Sequence, residues 1–310
     1  MGNRLRGYVA AAILMTAYNR AMSTADNARP GGRGRIARLF GWNRASYFLI
    51  SAFLLTLFLI GYVWWPLAEE YLAYIDWAGR WWLYIDWLLI GIFLSMSLLI
   101  MAGADLRSDA KMALVGLLGG LVIESWGTQT NIWTYYTLER PPLWIIPAWP
   151  IATISIDRLV RLLRRITPKA EAAGGRVEKI YQVFYWVILV GFYLLMLWYT
   201  APTLDKPFTW IALFLSGLFI LAPADRRLSL LTFLAGSGLG YFLELWGTTR
   251  QCWTYYTLEQ PPLFAVLAHG MAALAFWRAA GLMESAWSFF ITQKRAKPPS
   301  ESPPQQLRRS

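Results

Sequence analysis

The chain has 310 residues, of which 57% are hydrophobic and only 15% are charged. Ordinary soluble domains contain about 25% charged residues, so this composition is typical of a protein that crosses a membrane several times. The one cysteine, Cys252, excludes an intrachain disulfide, and the one histidine, His269, excludes sites that need several histidine ligands. The formal net charge of +11 lies in loops and tails between apolar segments, so it indicates membrane topology, and no nucleic-acid partner is expected.

Apolar segments of helical length recur along the chain and predict an all-α fold. A helix needs about 20 apolar residues to cross the hydrocarbon core of a bilayer. Pro147 and Pro150 predict a kink in the fourth such segment. The pattern predicts eight transmembrane helices, at 46–66, 81–102, 111–128, 143–162, 180–200, 208–222, 228–248 and 262–280.

Basic residues are distributed unevenly among the loops that join these spans. One side receives the N-terminal arginines, the basic loop after the fourth span and the basic C-terminal tail. By the positive-inside rule, both termini are cytoplasmic, and the loops after the third and seventh spans lie on the outer face of the cell membrane. The basic residues of the cytoplasmic side include Arg29, Arg33, Arg35, Arg38, Arg44, Arg161, Arg164, Arg165, Lys169, Lys294 and Lys297.

The same pattern divides the chain into five parts. An apolar stretch at 7–18 predicts an interfacial helix rather than a signal peptide. The C-terminal end is rich in Pro, Ser and Gln, so the tail is expected to be disordered. The parts are a basic cytoplasmic segment (1–45), a first membrane repeat (46–165), a basic cytoplasmic linker (166–179), a second membrane repeat (180–281) and a cytoplasmic tail (282–310).

An internal repeat covers the third and seventh spans and their outer loops. The segment ESWGTQTNIWTYYTLERPPL, which begins at Glu124, returns as ELWGTTRQCWTYYTLEQPPL from Glu244. The match runs without a gap from 104–143 to 224–263, at an offset of 120 residues. Four spans per unit give both units the same orientation, so an axis along the membrane normal should relate them. Paired glycines allow close helix packing, so we expect the third and seventh spans at the centre.

Three acidic residues lie near the outer ends of the predicted spans. Glu124 lies about 6 Å below the interface, and Glu244 repeats this placement. Asp86, in the second span, reaches a similar depth. A carboxyl group at this depth needs water, a partner or a proton, and desolvation favours the neutral acid, which can donate its proton. The alternative is structural: the two glutamates accept hydrogen bonds from indoles, hydroxyls and loop amides, and so fix the loop over the helix end.

The repeated loops keep Trp, Thr and Tyr residues at a fixed spacing. An interfacial aromatic belt explains Trp and Tyr at this depth, but a belt needs no fixed spacing. Aromatic faces also stabilise a cation in a dry pocket, so these side chains are candidates for substrate binding. His269 aligns with Trp149 and is either a site residue or a packing residue of the last span. The candidates are Trp126, Thr128, Trp133, Tyr135, Tyr136, Trp246, Thr248, Trp253, Tyr255, Tyr256 and His269.

The first copy of the repeat also carries a recognisable order of residues. A pattern E-x-x-G-x-x-T is followed by aromatic residues and by an I-P-x-W element. In the second copy, Arg250 stands at the threonine position and His269 at the last tryptophan. The residues of the first copy are Glu124, Gly127, Thr130, Trp133, Tyr135, Tyr136 and Ile146-Pro147-Ala148-Trp149.

This order resembles the carotenoid biosynthesis membrane proteins of the bacterioruberin and carotenoid 1,2-hydratase type. The resemblance implies a polytopic, cofactor-free protein that adds water across the terminal double bond of a long polyene. Heterodimer-type lycopene cyclases and integral-membrane terpene cyclases are similar in chemistry, since both work through buried acids.

Three hypotheses about function remain open. The first is an enzyme that hydrates or cyclises an isoprenoid or carotenoid end, without a metal or cofactor. Glu124 and Glu244 would be proton donor and base in either order, with Asp86 as a third catalytic candidate. The second is a non-catalytic membrane subunit or scaffold that binds pigment, lipid or a partner. The third is a small-molecule transporter. The oligomeric state is left open by the sequence.

Overall fold

A computed structural model describes residues 41–167, 175–222 and 225–296. This part of the chain forms nine α-helices and two short strands, so the all-α prediction is confirmed. The predicted interfacial helix at 7–18 and the end of the tail, 297–310, lie outside the described residues. The elements are α1 (Arg44–Val63), α2 (Trp65–Ala73), α3 (Trp87–Met101), α4 (Leu106–Gln129), β1 (Trp133–Tyr135), α5 (Ala148–Ile166), α6 (Gly175–Tyr199), α7 (Pro207–Leu221), α8 (Arg226–Thr249), β2 (Trp253–Tyr255) and α9 (Leu263–Ala296).

Polar caps decide where several helices begin. Asn43 caps α1, and a reciprocal hydrogen bond from the Asn43 N–H to the Ser46 hydroxyl completes a capping box. The side chains of Asp86, Asp105 and Asp225 accept from backbone N–H groups in the first turns of α3, α4 and α8. These bonds satisfy N–H groups that have no partner within the helix.

Caps and prolines also shift two of the predicted spans. The span predicted at 143–162 begins at Ala148, because Pro147 is its N-cap and Pro150 lies in its first turn. A proline in the first turn removes no helical hydrogen bond, so the two prolines start α5 and do not kink it. The second span begins after its cap, Asp86, and not at residue 81.

The last helix is longer than predicted. α9 runs to Ala296, so residues 282–296 of the expected tail are helical. No proline interrupts the sequence before Pro298, which leaves the helix free to continue. An ion pair of 2.7 Å between Lys111 Nζ and Glu284 Oε1 ties this extension to α4.

Four helices are long and apolar enough to cross a membrane, judged by length and composition, which supports the prediction of a membrane protein. Two further apolar helices, α3 and α7, have 15 residues each. α4 and α5 carry more polar and charged residues. The four candidate spans are Arg44–Val63, Val177–Tyr199, Arg226–Thr249 and Leu263–Ala286.

α8 lies at the centre of the helix bundle, as expected for the seventh span. In its most apolar stretch of 18 residues, 67% of the residues are buried, against 17% in the corresponding stretch of α1. α8 packs against α5, α6 and α9. Gly236 allows the close approach to α9, because an added Cβ there would lie 2.7 Å from both Ala273 Cβ and the His269 carbonyl oxygen. The third predicted span, α4, is less enclosed, since one face that includes Leu118 and Val122 is exposed.

The two strands join the two copies of the repeat. β1 and β2 pair in the antiparallel direction, and each strand is paired with its own copy 120 residues away. The pairing is symmetric about its central pair of threonines. The opposed residues are Trp133 with Tyr255, Thr134 with Thr254, and Tyr135 with Trp253.

The central packing of α8 predicts that Gly236→Ala destabilises the protein and that Gly238→Ala does not. A methyl group at Gly236 meets the backbone of α9, and overpacking of this kind costs about 1–3 kcal/mol. An added Cβ at Gly238 has no atom within 4 Å, and alanine favours the helix, so this variant is the matched control. Thermal unfolding of both variants in one detergent checks the prediction, and equal melting temperatures would contradict it.

Candidate functional site

Both copies of the repeat end their helix with the same tight turn. After α4, the Ile132 N–H donates to the Gly127 carbonyl at 2.9 Å, and after α8 the Cys252 N–H donates to the Gly247 carbonyl at 2.9 Å. Asn131 takes up a left-handed backbone conformation with φ 59° inside the first turn. The turn satisfies a terminal helix carbonyl and sends the following strand back over the helix end.

Glycine is required at the end of each helix by the indole that lies on it. An added Cβ at Gly127 would lie 1.8 Å from the ring of Trp133, and one at Gly247 would lie 2.0 Å from the ring of Trp253. Both distances are far below van der Waals contact, so no side chain fits there. The W-G-T order therefore seats each strand tryptophan directly against the last helical turns.

The carboxyl group of Glu124 is buried beneath the first loop, with 3% of the residue exposed. It accepts three hydrogen bonds: from Trp133 Nε1 to Oε2 at 3.1 Å, and from the Tyr135 hydroxyl and Trp149 Nε1 to Oε1 at 3.0 and 3.2 Å. Two of the three donors are indoles, which can donate a hydrogen bond but cannot accept a proton. This geometry matches the structural alternative for Glu124, since the acid holds the loop over the helix end.

The carboxyl group of Glu244 has the same surroundings with one change. Trp253 Nε1 donates to Oε2 at 2.9 Å, and the Tyr255 hydroxyl donates to Oε1 at 2.9 Å. The third partner is His269, whose Nε2 lies 2.9 Å from Oε1. An imidazole can both hold and release a proton, so the second copy contains an acid–base pair where the first contains an indole.

The two glutamates are linked through the rings of Trp149 and His269. These rings stack with their centroids 5.7 Å apart and an angle of 18° between their planes. Each ring lies over a glycine, because an added Cβ would lie 2.2 Å from the ring of Trp149 at Gly120 and 2.6 Å from the ring of His269 at Gly240. His269 thus contacts Glu244 in the candidate site and also packs against Gly240. The alignment of His269 with Trp149 is the sequence signal that could have identified these two residues as partners of the glutamates.

Aromatic rings from both copies enclose this centre. Trp133 and Tyr255 have centroids 5.9 Å apart, and Tyr135 and Trp253 have centroids 5.8 Å apart. Trp64, at the end of α1, lies beside the rings of Trp144, Trp246 and Trp253 at 5.1–6.3 Å. Trp64 lies outside the repeat, so the repeat spacing could not identify it. The fixed spacing therefore builds one shared cluster.

Asp86 has different partners from the two glutamates. It accepts from Trp246 Nε1 at 2.8 Å and pairs with Arg250 Nε at 3.0 Å, besides capping α3. In the first copy, the equivalent Trp126 Nε1 donates to Thr209 Oγ1 in α7 at 3.3 Å. Trp246 therefore joins the end of α8 to the start of α3, and Trp126 joins the end of α4 to the start of α7.

The threonine and second tyrosine of each motif have anchoring contacts. Thr128 and Thr248 donate to the main-chain carbonyls of Glu124 and Glu244, both at 2.6 Å. The Tyr136 hydroxyl donates to the Val63 carbonyl at the end of α1. The Tyr256 hydroxyl donates to the Tyr199 carbonyl at the end of α6, at 2.7 Å. The two tyrosines therefore fix the loops to helix ends, whereas the two threonines bond within the last turns of α4 and α8. None of the four side chains contacts a carboxyl group.

Burial keeps the two strand phenols protonated. The pKa of Tyr135 and that of Tyr255 are raised well above 10.0, first by burial and then by the charge of the nearby glutamate. Both phenols therefore remain hydrogen-bond donors to the carboxyl groups at neutral pH.

An apolar cavity of about 170 Å³ lies between α1, α3 and α5. Its walls include Phe48 and Thr56 of α1, Ile100 of α3, and Pro147 and Pro150 beside Trp149. Neither glutamate lines it. Its wall is suited to a hydrocarbon chain.

Within the described residues, no group of three or more His, Cys, Asp and Glu side chains is placed to hold a metal ion. Comparisons of the chain with protein-family models, with curated proteins and with solved structures found no match.

The raised pKa of the two phenols predicts how stability depends on pH. Above about pH 10 the unfolded chain releases these protons while the folded protein retains them, so the free energy of unfolding falls as the pH rises. Between about pH 9 and about pH 11, the melting temperature of the double variant Tyr135→Phe/Tyr255→Phe should therefore fall by less than that of the wild type.

The control for this prediction is the double variant of two exposed tyrosines, Tyr47→Phe/Tyr74→Phe. It should keep the wild-type pH dependence, measured by thermal unfolding in the same buffers. The same slope in all three proteins would show that the strand phenols do not carry the effect.

Proposed function

We propose that eight of the described helices, all except the nine-residue α2, cross the cell membrane as two parallel four-helix repeats. The bounds of α3 and α4 recur in α7 and α8 at the offset of 120 residues. The symmetric pairing of β1 with β2 agrees with a two-fold axis along the membrane normal. The distribution of basic residues supports cytoplasmic termini.

This topology predicts which positions can be labelled from outside the cell. In a Cys252→Ser background, Glu139→Cys and Glu259→Cys should react with a membrane-impermeant maleimide in intact cells, because both exposed positions lie in outer loops. Arg107→Cys, at the start of α4, should react only after the membrane is opened. The reverse pattern of labelling would refute the orientation.

For function, we propose an integral-membrane enzyme of isoprenoid or carotenoid metabolism that starts hydration or cyclisation of a polyene end with a proton. The observation that carries this proposal is the Glu244–His269 pair, with 2.9 Å between Oε1 and Nε2, beneath a cluster of aromatic rings. A carboxyl group next to an imidazole can lose its proton to a substrate and regain it. The resemblance of the first copy to carotenoid hydratases agrees with this chemistry.

In the proposed reaction, the Glu244 carboxyl donates its proton to one carbon of a terminal double bond. The two π electrons form the new C–H bond, and the neighbouring carbon becomes a carbocation. In hydration, a water oxygen adds to the carbocation, and the proton that this water releases returns through His269 to Glu244. In cyclisation, a second double bond of the same polyene attacks the carbocation, and the proton lost from the ring returns to the same pair.

The remaining residues have supporting roles in this proposal. Glu124 accepts from two indoles and a phenol, so it holds the first loop in place and does not supply the proton. The faces of Trp133 and Trp253 stabilise the cation through their π electrons. The apolar cavity between α1, α3 and α5 accommodates part of the hydrocarbon chain.

Glu244→Gln and His269→Trp should each abolish product formation. In the first copy Trp149 packs on Gly120, and in the second copy His269 packs on Gly240. His269→Trp therefore introduces a residue that the first copy already accommodates at the equivalent position. The variant keeps a hydrogen-bond donor to Glu244 but removes the group that returns the proton. The measurement is mass spectrometry of pigments and isoprenoid lipids from cells that lack the gene and carry the wild-type or variant copy.

Tyr74→Phe, on the exposed surface, should restore the wild-type profile and so controls for expression. Product formation by both Glu244→Gln and His269→Trp would refute the acid role of this pair. Identical extracts with and without the gene would refute the enzyme.

A second candidate function is a non-catalytic subunit that binds pigment, lipid or a partner through the aromatic loops. The saturation of Glu124 by three donors favours it, because an acid bound in this way is a structural group. This candidate predicts that unaltered pigment or lipid copurifies in a fixed ratio with the wild type and with Glu244→Gln alike.

A further inference from the structure

The helices α5 and α9, which carry Trp149 and His269, also carry a pair of equivalent arginines further along the chain. Arg158 in α5 and Arg278 in α9 are 120 residues apart and are 5% and 8% exposed. Arg158 is neutralised: its Nη2 contacts both oxygens of Asp109 at 2.8 and 2.7 Å, and its Nη1 contacts Asp157 at 2.8 Å. The contact with Asp109 joins α5 to α4.

The second copy keeps the arginine and loses both acids. Ser229 stands at the position equivalent to Asp109, and Trp277 at the position equivalent to Asp157. Arg278 Nη2 contacts the Tyr185 hydroxyl at 3.0 Å and Ser229 Oγ at 3.3 Å, and its Nη1 lies 3.4 Å from the Ala222 carbonyl. Its Nε has no hydrogen-bond partner. Among the ion pairs of the described residues, none involves Arg278.

A buried guanidinium without a counter-charge is costly. Arginine stays protonated in proteins, so it cannot escape this cost by losing its charge. The neutral oxygens around Arg278 solvate the group but do not balance it, and leaving a buried charge unpaired is strongly destabilising. The site therefore favours an anion.

A second cation lies beside the same phenol. The Arg226 guanidinium lies 5.9 Å from the ring centroid of Tyr185 and 5.4 Å from that of Trp186. Arg226 also begins α8, whose N-terminal end carries a partial positive charge. Like Arg278, it takes part in none of the ion pairs formed within the described residues.

We propose that Arg278, together with Arg226, binds a phosphate group at the cytoplasmic side of the bundle. Phosphate oxygens match the planar donors of a guanidinium, whereas the hydroxyls of Tyr185 and Ser229 already donate to the carbonyls of Ile220 and Asp225. Two sources share this chemistry: the headgroup of an anionic phospholipid and a soluble phosphate or diphosphate. Ser229 precedes Glu244 by 15 residues of one helix, about 22 Å along its axis, so this site is separate from the proposed catalytic centre.

The test uses the full chain in nanodiscs and measures the melting temperature. One arm adds inorganic pyrophosphate to phosphatidylcholine nanodiscs, against sodium chloride of equal ionic strength. The other arm replaces part of the phosphatidylcholine with phosphatidylglycerol. We expect a rise of about 3 °C in at least one arm, and the arm that responds identifies the source.

Ser229→Asp is the decisive variant, because it restores the acid that neutralises the equivalent arginine in the first copy. It should raise the melting temperature without phosphate and remove the response in both arms. Ser229→Asn, of equal size but neutral, should keep the response, and Arg278→Gln should lose it. No response of the wild type in either arm, or an unchanged response in Ser229→Asp and Arg278→Gln, would overturn the proposal. Turnover is not measured, so this outcome is independent of the proposed enzyme.

Discussion

The buried carboxyl groups of Glu124 and Glu244 require hydrogen-bond donors, and the loops that follow α4 and α8 supply them. An acid placed in apolar surroundings without partners is strongly unfavourable. Each chain segment meets this need within eleven residues, because the turn after its helix brings a tryptophan and a tyrosine back to the same carboxyl group. The two returning strands then pair with each other, so the constraint on each acid also joins the two repeats.

The two copies share this framework but differ in the partners of two buried polar groups. Trp149 in the first copy and His269 in the second occupy equivalent positions beside a glutamate. Only the histidine can exchange a proton with its glutamate. At the opposite helix ends, Asp109 neutralises an arginine, whereas Ser229 leaves the equivalent arginine uncompensated. In both cases the first copy satisfies its buried polar group with its own side chains. The second copy instead has a titratable imidazole beside its glutamate and an arginine without a counter-charge. Such a division would let one copy stabilise the fold while the other acts.

The local parts of this arrangement could be predicted from the sequence, and the connections between distant segments could not. The repeated spacing marks Glu124 with its tryptophans and tyrosines, because an interfacial belt needs no spacing of this kind. Depth alone groups Asp86 with the glutamates, but depth does not fix the direction around a helix, and Asp86 pairs with Arg250. The pairing of two three-residue strands and the contact of Arg158 with Asp109 depend on tertiary packing, which leaves no periodic signal in the sequence.

The most direct test of the central claim is a double-mutant cycle between Glu124 and Tyr135, in the copy that has no histidine. Glu124→Gln and Tyr135→Phe keep the size of each side chain and remove the charge of one partner and the hydroxyl of the other. If the buried carboxyl group holds the strand, the free energies of unfolding should show a coupling of about 1–2 kcal/mol. Additive effects, within about 0.3–0.5 kcal/mol, would contradict the account.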